Sequence, residues 1–205
     1  MSLQIVDHPL ARVLISQLRN KDTLSPTFRK ACRNITQMLI LEATKAMGTR
    51  PVEIETPLES TEGSIWDEYI TLIPIIRAGI AMVDPILEIF PEASVGYLGL
   101  ERDEETTVAR NYYRKIPHLK NQTAIIVDPL LATGGSLLQA IEICRKEGAE
   151  KILIVTILAA PEGVEAVSQK HPDITIITAV MDRELNQQKY ILPGLGDFGD
   201  RLFNT

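Results

Sequence analysis

The chain has 205 residues, 45% of them apolar and 23% charged, with a formal net charge of -6. Such values fit a single domain over 1–205, whose folding buries about 70% of the unfolded surface without help from disulfides or a structural metal. Cys32 and Cys144 match no metal or redox spacing, no apolar run approaches ~18 residues, and Met-Ser-Leu-Gln carries no basic leader; neither membrane insertion nor secretion is expected, and a reducing cytoplasm is the expected compartment.

Net acidity also argues against nucleic acid as a partner. His8, His118 and His171 are scattered and are expected to be surface or core filler. The first fifty residues predict two helices, one over Pro9 to Leu18 and a longer one starting at Ser25. There the serine is expected to cap and Pro26 to take the first helical position. The apolar stripe of this second helix includes Phe28, Ile35, Met38, Leu39 and Leu41. Pro51 to Thr61 sets Val52, Ile54 and Thr56 against Glu53 and Glu55, the alternation of a half-exposed strand in a small β flap or hood.

From Tyr69 onward, apolar runs alternate with helical stretches. The runs are Ile70 to Ile76, Ser94 to Leu100, Thr123 to Val127, Ile152 to Leu158 and Ile174 to Val180. The helices are predicted over Val83 to Phe90, Ser136 to Lys146 and Pro161 to Gln169. Runs apolar almost throughout belong to strands covered on both faces, so the fold class is α/β, a doubly wound parallel sheet preceded by N-terminal helices. Sheets of this kind bind ligands beyond the carboxyl ends of their strands.

The most informative stretch is Thr123-Ala-Ile-Ile-Val-Asp-Pro-Leu-Leu-Ala-Thr-Gly-Gly-Ser136, a strand that runs through an acid into a glycine turn and a helix. Gly134 and Gly135 let backbone N–H groups close round an anion, Thr133 and Ser136 add hydroxyl donors, and the helix points its positive end at the site. Asp128 sits where a carboxylate can accept hydrogen bonds from a sugar diol. A glycine pair alone reads as a tight turn capped by Ser136. Strand, acid, hydroxyls and helix together read as a phosphate loop. The lysine of a nucleoside triphosphate loop is absent. Arg77 follows the run Ile70 to Ile76, where a guanidinium fork can grip phosphate oxygens or serve as an ion-pairing residue.

Val127 to Ser136 closely resembles the phosphoribosyltransferase signature, in the form carried by the uracil phosphoribosyltransferases, with Val127 and Asp128 before Pro129 in place of two acids. Pro74-Ile-Ile-Arg-Ala-Gly79, Gly99-Leu-Glu-Arg-Asp-Glu-Glu-Thr106, Ala159-Ala-Pro-Glu-Gly163 and Tyr190-Ile-Leu-Pro-Gly-Leu-Gly-Asp-Phe-Gly-Asp-Arg201 have counterparts in that family in the same order. The resemblance implies the phosphoribosyltransferase fold of the type I class. It also implies formation of UMP and pyrophosphate from uracil and 5-phospho-α-D-ribose 1-diphosphate (PRPP) in pyrimidine salvage. The 5-phosphate and ribose would be held by Asp128, Pro129, Leu130, Leu131, Ala132, Thr133, Gly134, Gly135 and Ser136, and the pyrophosphate would meet Arg77 and Arg102. Asp197 would be the second acidic contact to the donor, through Mg²⁺ carried mainly by PRPP, which leaves Arg77, Asp128 and Asp197 as the catalytic set. Uracil would be read by backbone at Ile191, Gly196, Asp197 and Phe198. Family members are homodimers or larger assemblies, and some respond to GTP.

The charged segment Glu101 to Arg114, with Tyr112 and Tyr113, reads as a mobile flap that excludes water. Gly194-Leu-Gly-Asp-Phe-Gly199 has the letters of a dinucleotide fingerprint, but the six residues after it hold no crossover helix. Two positions depart from the family: Glu101 where a tyrosine is usual, and Phe198 where alanine is usual. The Phe198 ring is expected to swing into the base pocket and partly obstruct uracil. Two other readings stay open: a catalytically impaired or regulatory relative that binds PRPP or a nucleotide, and a phosphoribosyltransferase for another base.

Overall fold

The computed structural model describes residues 2–102 and 109–205, apart from the side chains of 101, 102 and 109–111. Strand β1 (Ser2–Ile5) leads into helices α1 (Pro9–Arg19) and α2 (Ser25–Ala43). Helix α1 opens on His8, whose Nδ1 accepts the Leu10 N–H at 3.1 Å, so this histidine is a cap rather than filler. Ser25 corrects the capping expectation. It lies inside α2, behind Leu24, and its hydroxyl donates to the carbonyl of Arg201 at 2.9 Å, tying the helix to the end of the chain. The stripe also needs one correction. Phe28, Ile35 and Leu39 are buried with Ala31, Cys32 and Ile40, whereas Leu41 falls on the opposite side of that arc and is exposed.

The flap read as one strand is a hairpin of two, β2 (Thr49–Glu55) and β3 (Ser60–Trp66), antiparallel and exposed along most of its length. The turn between them closes where the Thr56 N–H meets the Glu59 carbonyl at 3.0 Å.

The sheet then assembles from β4 (Tyr69–Ile76), β5 (Ser94–Val95), β6 (Tyr97–Arg102), β7 (Ala109–Lys115), β8 (Gln122–Val127), β9 (Leu130–Leu131), β10 (Lys151–Ala159) and β11 (Thr175–Met181). Its order is β1-β11-β10-β8-β4-β6-β7, with β5 beside β4 and β9 beside β10; every pair is parallel except β6 and β7. Helices α3 (Val83–Leu87), α4 (Gly135–Lys146) and α5 (Pro161–Lys170) lie in the connections. The chain closes with a small hairpin, β12 (Glu184–Leu185) and β13 (Ile191–Leu192), and helix α6 (Phe198–Phe203).

The strand residues divide as the period of two demands. Ile125, Val127, Leu153, Val155 and Ile177 join the core built with α1, α2, α3 and α6. Ala124, Ile126, Ile154 and Ile176 join the core under α4 and α5. Both faces are therefore sealed, and ligand chemistry is confined to a sheet edge. The registers Pro74 with Val127 and Val127 with Val155 set β4, β8 and β10 side by side at one sheet edge, with β10 running on past that level to Ala159. Arg77 and Asp128 leave that common edge side by side in the sheet order.

Candidate active site

The segment after β8 forms a cradle. Asp128 is half-buried, and burial pushes its carboxyl up to about 7, against the Leu130 N–H that it accepts. Leu130 and Leu131 form β9 beside the end of β10, which pins the loop to the sheet. Gly134 then takes φ +81°, a left-handed conformation costly for any residue with a Cβ. This glycine precedes α4 and provides no side-chain cap, so the first N–H groups of a 12-residue helix remain directed at the loop. Ser136 is inside the helix and does not cap it. Residues 128–137 enclose a pocket of about 60 Å³.

Gly163 explains why Ala159-Ala-Pro-Glu-Gly163 accompanies the loop. A Cβ on Gly163 would run into the Ala132 carbonyl oxygen and stand 2.7 Å from Leu131 Cδ1. The first turn of α5 therefore packs directly on the back of the cradle. The motif was visible in the sequence; its supporting role needed the two segments to be seen in contact.

Arg77 lies just past the end of β4 with its side chain exposed, and its Nη2 is 3.7 Å from Asp200 Oδ1. Asp197 caps α6, its Oδ1 accepting the Asp200 N–H at 2.9 Å. The fold thus brings together Arg77 and the Asp197 to Asp200 turn, which are more than a hundred residues apart. The sequence alone assigns Asp200 no role, although it lies within the quoted tail motif.

The tail loop is held from beneath by Asp182 and Arg19, which carried no motif, and by Arg201 of the tail itself. Asp182, just after β11, is buried and paired with Arg19 of α1, whose Nη1 donates to Asp182 Oδ2 at 2.9 Å. The same Oδ2 accepts the Gly194 N–H at 2.8 Å, and Arg19 Nη1 donates to the Gly194 carbonyl at 2.9 Å. Arg201 donates from Nη1 to the Leu195 carbonyl at 2.7 Å and from Nη2 to the Asn20 carbonyl at 2.6 Å.

Phe198 overturns the expected obstruction. Its ring is 1% exposed and lies in the core with the ring of Phe28, centroids 5.1 Å apart in an edge-on arrangement, rather than in a base pocket. As the first residue of a helix whose inner face rests on α2, it must point its side chain inward. The cover comes from the chain's own core, Phe28 included. Arg102 ends β6, but its side chain lies outside the described residues, as do residues 103–108 of the flap; the described part is the antiparallel pairing of β6 with β7.

A wider cavity, about 690 Å³, is elsewhere. It is lined by Arg50, Trp66, Tyr69 and Phe90, at the amino end of β4 and thus across the sheet from Arg77.

The sequence profile of the uracil phosphoribosyltransferases matches residues 5–205. The chain belongs to the uracil phosphoribosyltransferase family. A uracil phosphoribosyltransferase of Thermosipho melanesiensis is 48% identical over 207 aligned positions, covering 100% of both chains. Among solved structures, a protein from Aquifex aeolicus superposes with a TM-score of 0.94 at 36% identity, covering 98% of this chain and 97% of the other. An adenine phosphoribosyltransferase of Leishmania donovani superposes at 0.57 with 15% identity, over 91% of this chain and 86% of its own, a likeness of fold alone. Family membership thus agrees with the mostly parallel central sheet. No helix among the described residues is long and apolar enough to cross a membrane.

Proposed function

We propose that this member of the family joins uracil to the phosphoribosyl group of PRPP, releasing pyrophosphate and forming UMP. The observation that carries the proposal is the convergence of three elements on one sheet edge: the Asp128 to Ser136 cradle, Arg77, and the turn ending at Asp200. On this reading the N–H groups opening α4, with Thr133 and Ser136, take the 5-phosphate, and Asp128 takes the ribose hydroxyls. Arg77 exchanges its loose contact with Asp200 for the oxygens of the leaving pyrophosphate. Backbone groups at Ile191 and Gly196 to Phe198 present the edge that reads uracil. Uracil N1 bonds to ribose C1 as the C1–pyrophosphate bond breaks, so catalysis rests on alignment and on neutralising the departing charge.

Mg²⁺ enters this proposal as an ion carried by the donor. Among the described residues no three His, Cys, Asp or Glu side chains converge on a metal position; Asp128 and Asp197 would each meet the ion through the bound donor. Arg102 as a second pyrophosphate contact, a GTP response, a homo-oligomer and a cytoplasmic location belong to the same proposal, supported by the family's signature segments. The projecting hairpin exposes Ile54, Leu58, Ile65 and Trp66, an apolar surface that a second copy would cover. Incubation with PRPP, Mg²⁺ and a panel of bases, with pyrophosphate and nucleotide measured, tests the reading. Uracil is expected to be the base consumed; turnover of a purine instead, or of none, would overturn it.

A further inference from the structure

The tail loop combines two demands. It must be flexible enough in sequence to make a tight turn, since Gly194 holds φ +64° and a Cβ there would strike the Ile191 carbonyl. It must also be rigid enough to hold Ile191 on one side of the turn and Gly196 to Phe198 on the other at a fixed spacing. Leu195 adds one buried side chain, and Arg201 one bond to the Leu195 carbonyl. At Gly194 itself, both backbone groups are engaged by a single ion pair. Asp182 Oδ2 accepts the N–H at 2.8 Å, and Arg19 Nη1 donates to the carbonyl at 2.9 Å. The two side chains also bond each other through both carboxylate oxygens.

The placement of this pair is unusual for a merely stabilising contact. The Asp182 side chain is 3% exposed and that of Arg19 23%, so the charges are largely withdrawn from water. A pair so desolvated gives little net stability over an apolar pair of the same volume, and its use is to specify one geometry. What it specifies is the turn between the two backbone segments to which base reading is assigned. Neither residue lines the Asp128 to Ser136 cradle.

We infer that Arg19 and Asp182 are positioning residues for the base, a buried pair that sets the Gly194 turn and so the spacing of Ile191 from Gly196 to Phe198. The inference rests on the proposed uracil reading, and it assigns the pair to base recognition while leaving the donor cradle independent of it. Losing the pair lets the turn relax, and the backbone donors and acceptors on its two sides lose their register toward the base.

The test uses the full chain as parent, Arg19→Met, Arg19→Lys and the double variant Arg19→Met/Asp182→Asn, which leaves no unpaired buried charge. Steady-state constants for uracil and PRPP are measured separately, together with amide hydrogen exchange over 191–198. Arg19→Met is expected to raise the uracil KM about tenfold or more, leave the PRPP KM within about twofold, and speed exchange over 191–198 relative to 128–137. Arg19→Lys, which keeps the charge but loses the fork, should fall between parent and Arg19→Met. Should Arg19→Met fail to fold, the lysine and double variants carry the same comparison. An unchanged uracil KM in a folded variant, or equal rises in both KM values, overturns the inference. If the parent itself does not use uracil, the proposed function falls. Exchange over 191–198 then still decides whether the pair holds the turn, and no acceleration there removes the positioning role.

Discussion

Arg77 Nη2 and Asp200 Oδ1 stand 3.7 Å apart, both side chains more than half exposed. At that separation and exposure the pair is a weak contact, worth about 0–1 kcal/mol, and easily exchanged for a more highly charged partner. The acid lies beside the guanidinium at the sheet edge without holding it tightly. Arg77→Lys should therefore lower turnover about ten- to hundredfold, because one ammonium cannot reproduce a planar fork on pyrophosphate oxygens. Thermal stability should be unchanged. Steady-state kinetics that match the parent would show that Arg77 serves only its contact with Asp200.

Asp128 connects ligand binding to pH. Its carboxyl is raised to about 7 by burial. Between the ordinary carboxylate range and that value, the folded chain holds a proton that the unfolded chain has released. Folding stability from this group therefore falls as pH rises toward 7, and the full penalty is present above it. Asp128→Asn avoids the penalty. The variant should gain about 1–2 kcal/mol over the parent at pH 8, the full shift being discounted for a half-buried group, and nothing near pH 4. PRPP affinity should move the other way, falling about ten- to hundredfold at pH 8 as the charged acceptor is lost. Denaturant titrations and calorimetric binding at both pH values check the two halves. Equal stability and undiminished donor affinity at pH 8 would remove Asp128 from this role.

Gly163 is where the cradle and α5 meet. Gly163→Ala places a methyl against the Ala132 carbonyl and Leu131, so backbone must shift on one side or the other. We expect a loss of about 1–3 kcal/mol in stability, typical of overpacking, with a rise in the PRPP KM exceeding that for uracil. A variant with parental PRPP kinetics would show that the cradle does not depend on this contact.

Phe198→Ala removes a buried ring from against Phe28. The expected cost is about 3–5 kcal/mol of stability from the lost burial and the cavity left behind. Uracil use should not improve, because the ring does not occupy space open to the base. Improved uracil affinity in a variant of unchanged stability would mean that the loop presents this side chain differently in solution.

What the sequence made legible follows from where each signal resides. The strands β4, β8, β10 and β11 are continuous apolar runs, and being buried on both faces is a property that composition alone displays. The run Ser94 to Leu100 instead divides into β5 and β6 at Gly96, whose N–H turns to the Leu72 carbonyl at 2.8 Å. Strand β1 escaped notice because four residues carry too short a pattern, and its partner begins at Thr175. Strand β7, with Arg110, Arg114 and Lys115, looks like a charged loop until β6 is beside it. The cradle was readable because all its parts are consecutive. Arg19 and Asp182 were not, since an arginine at a helix end and an aspartate after a strand are ordinary until the fold joins them. The direction of Phe198 is hidden for the same reason: nearby glycines advertise freedom, whereas the decisive fact is the packing of its ring against Phe28.

The ties between the two ends of the chain also bear on the order of its synthesis. β1 pairs with a strand beginning at Thr175, Ser25 bonds Arg201, Arg29 donates to the Leu202 carbonyl at 2.8 Å, and Phe28 is sealed by Phe198. The α2 segment, made early, therefore finds its covering surface only in residues made much later. Until then the inner face of α2 has no lid over Phe28, and the tail loop has not been built. A chain cut short before Phe198 would keep most of its sheet and leave the aromatic face around Phe28 bare to water.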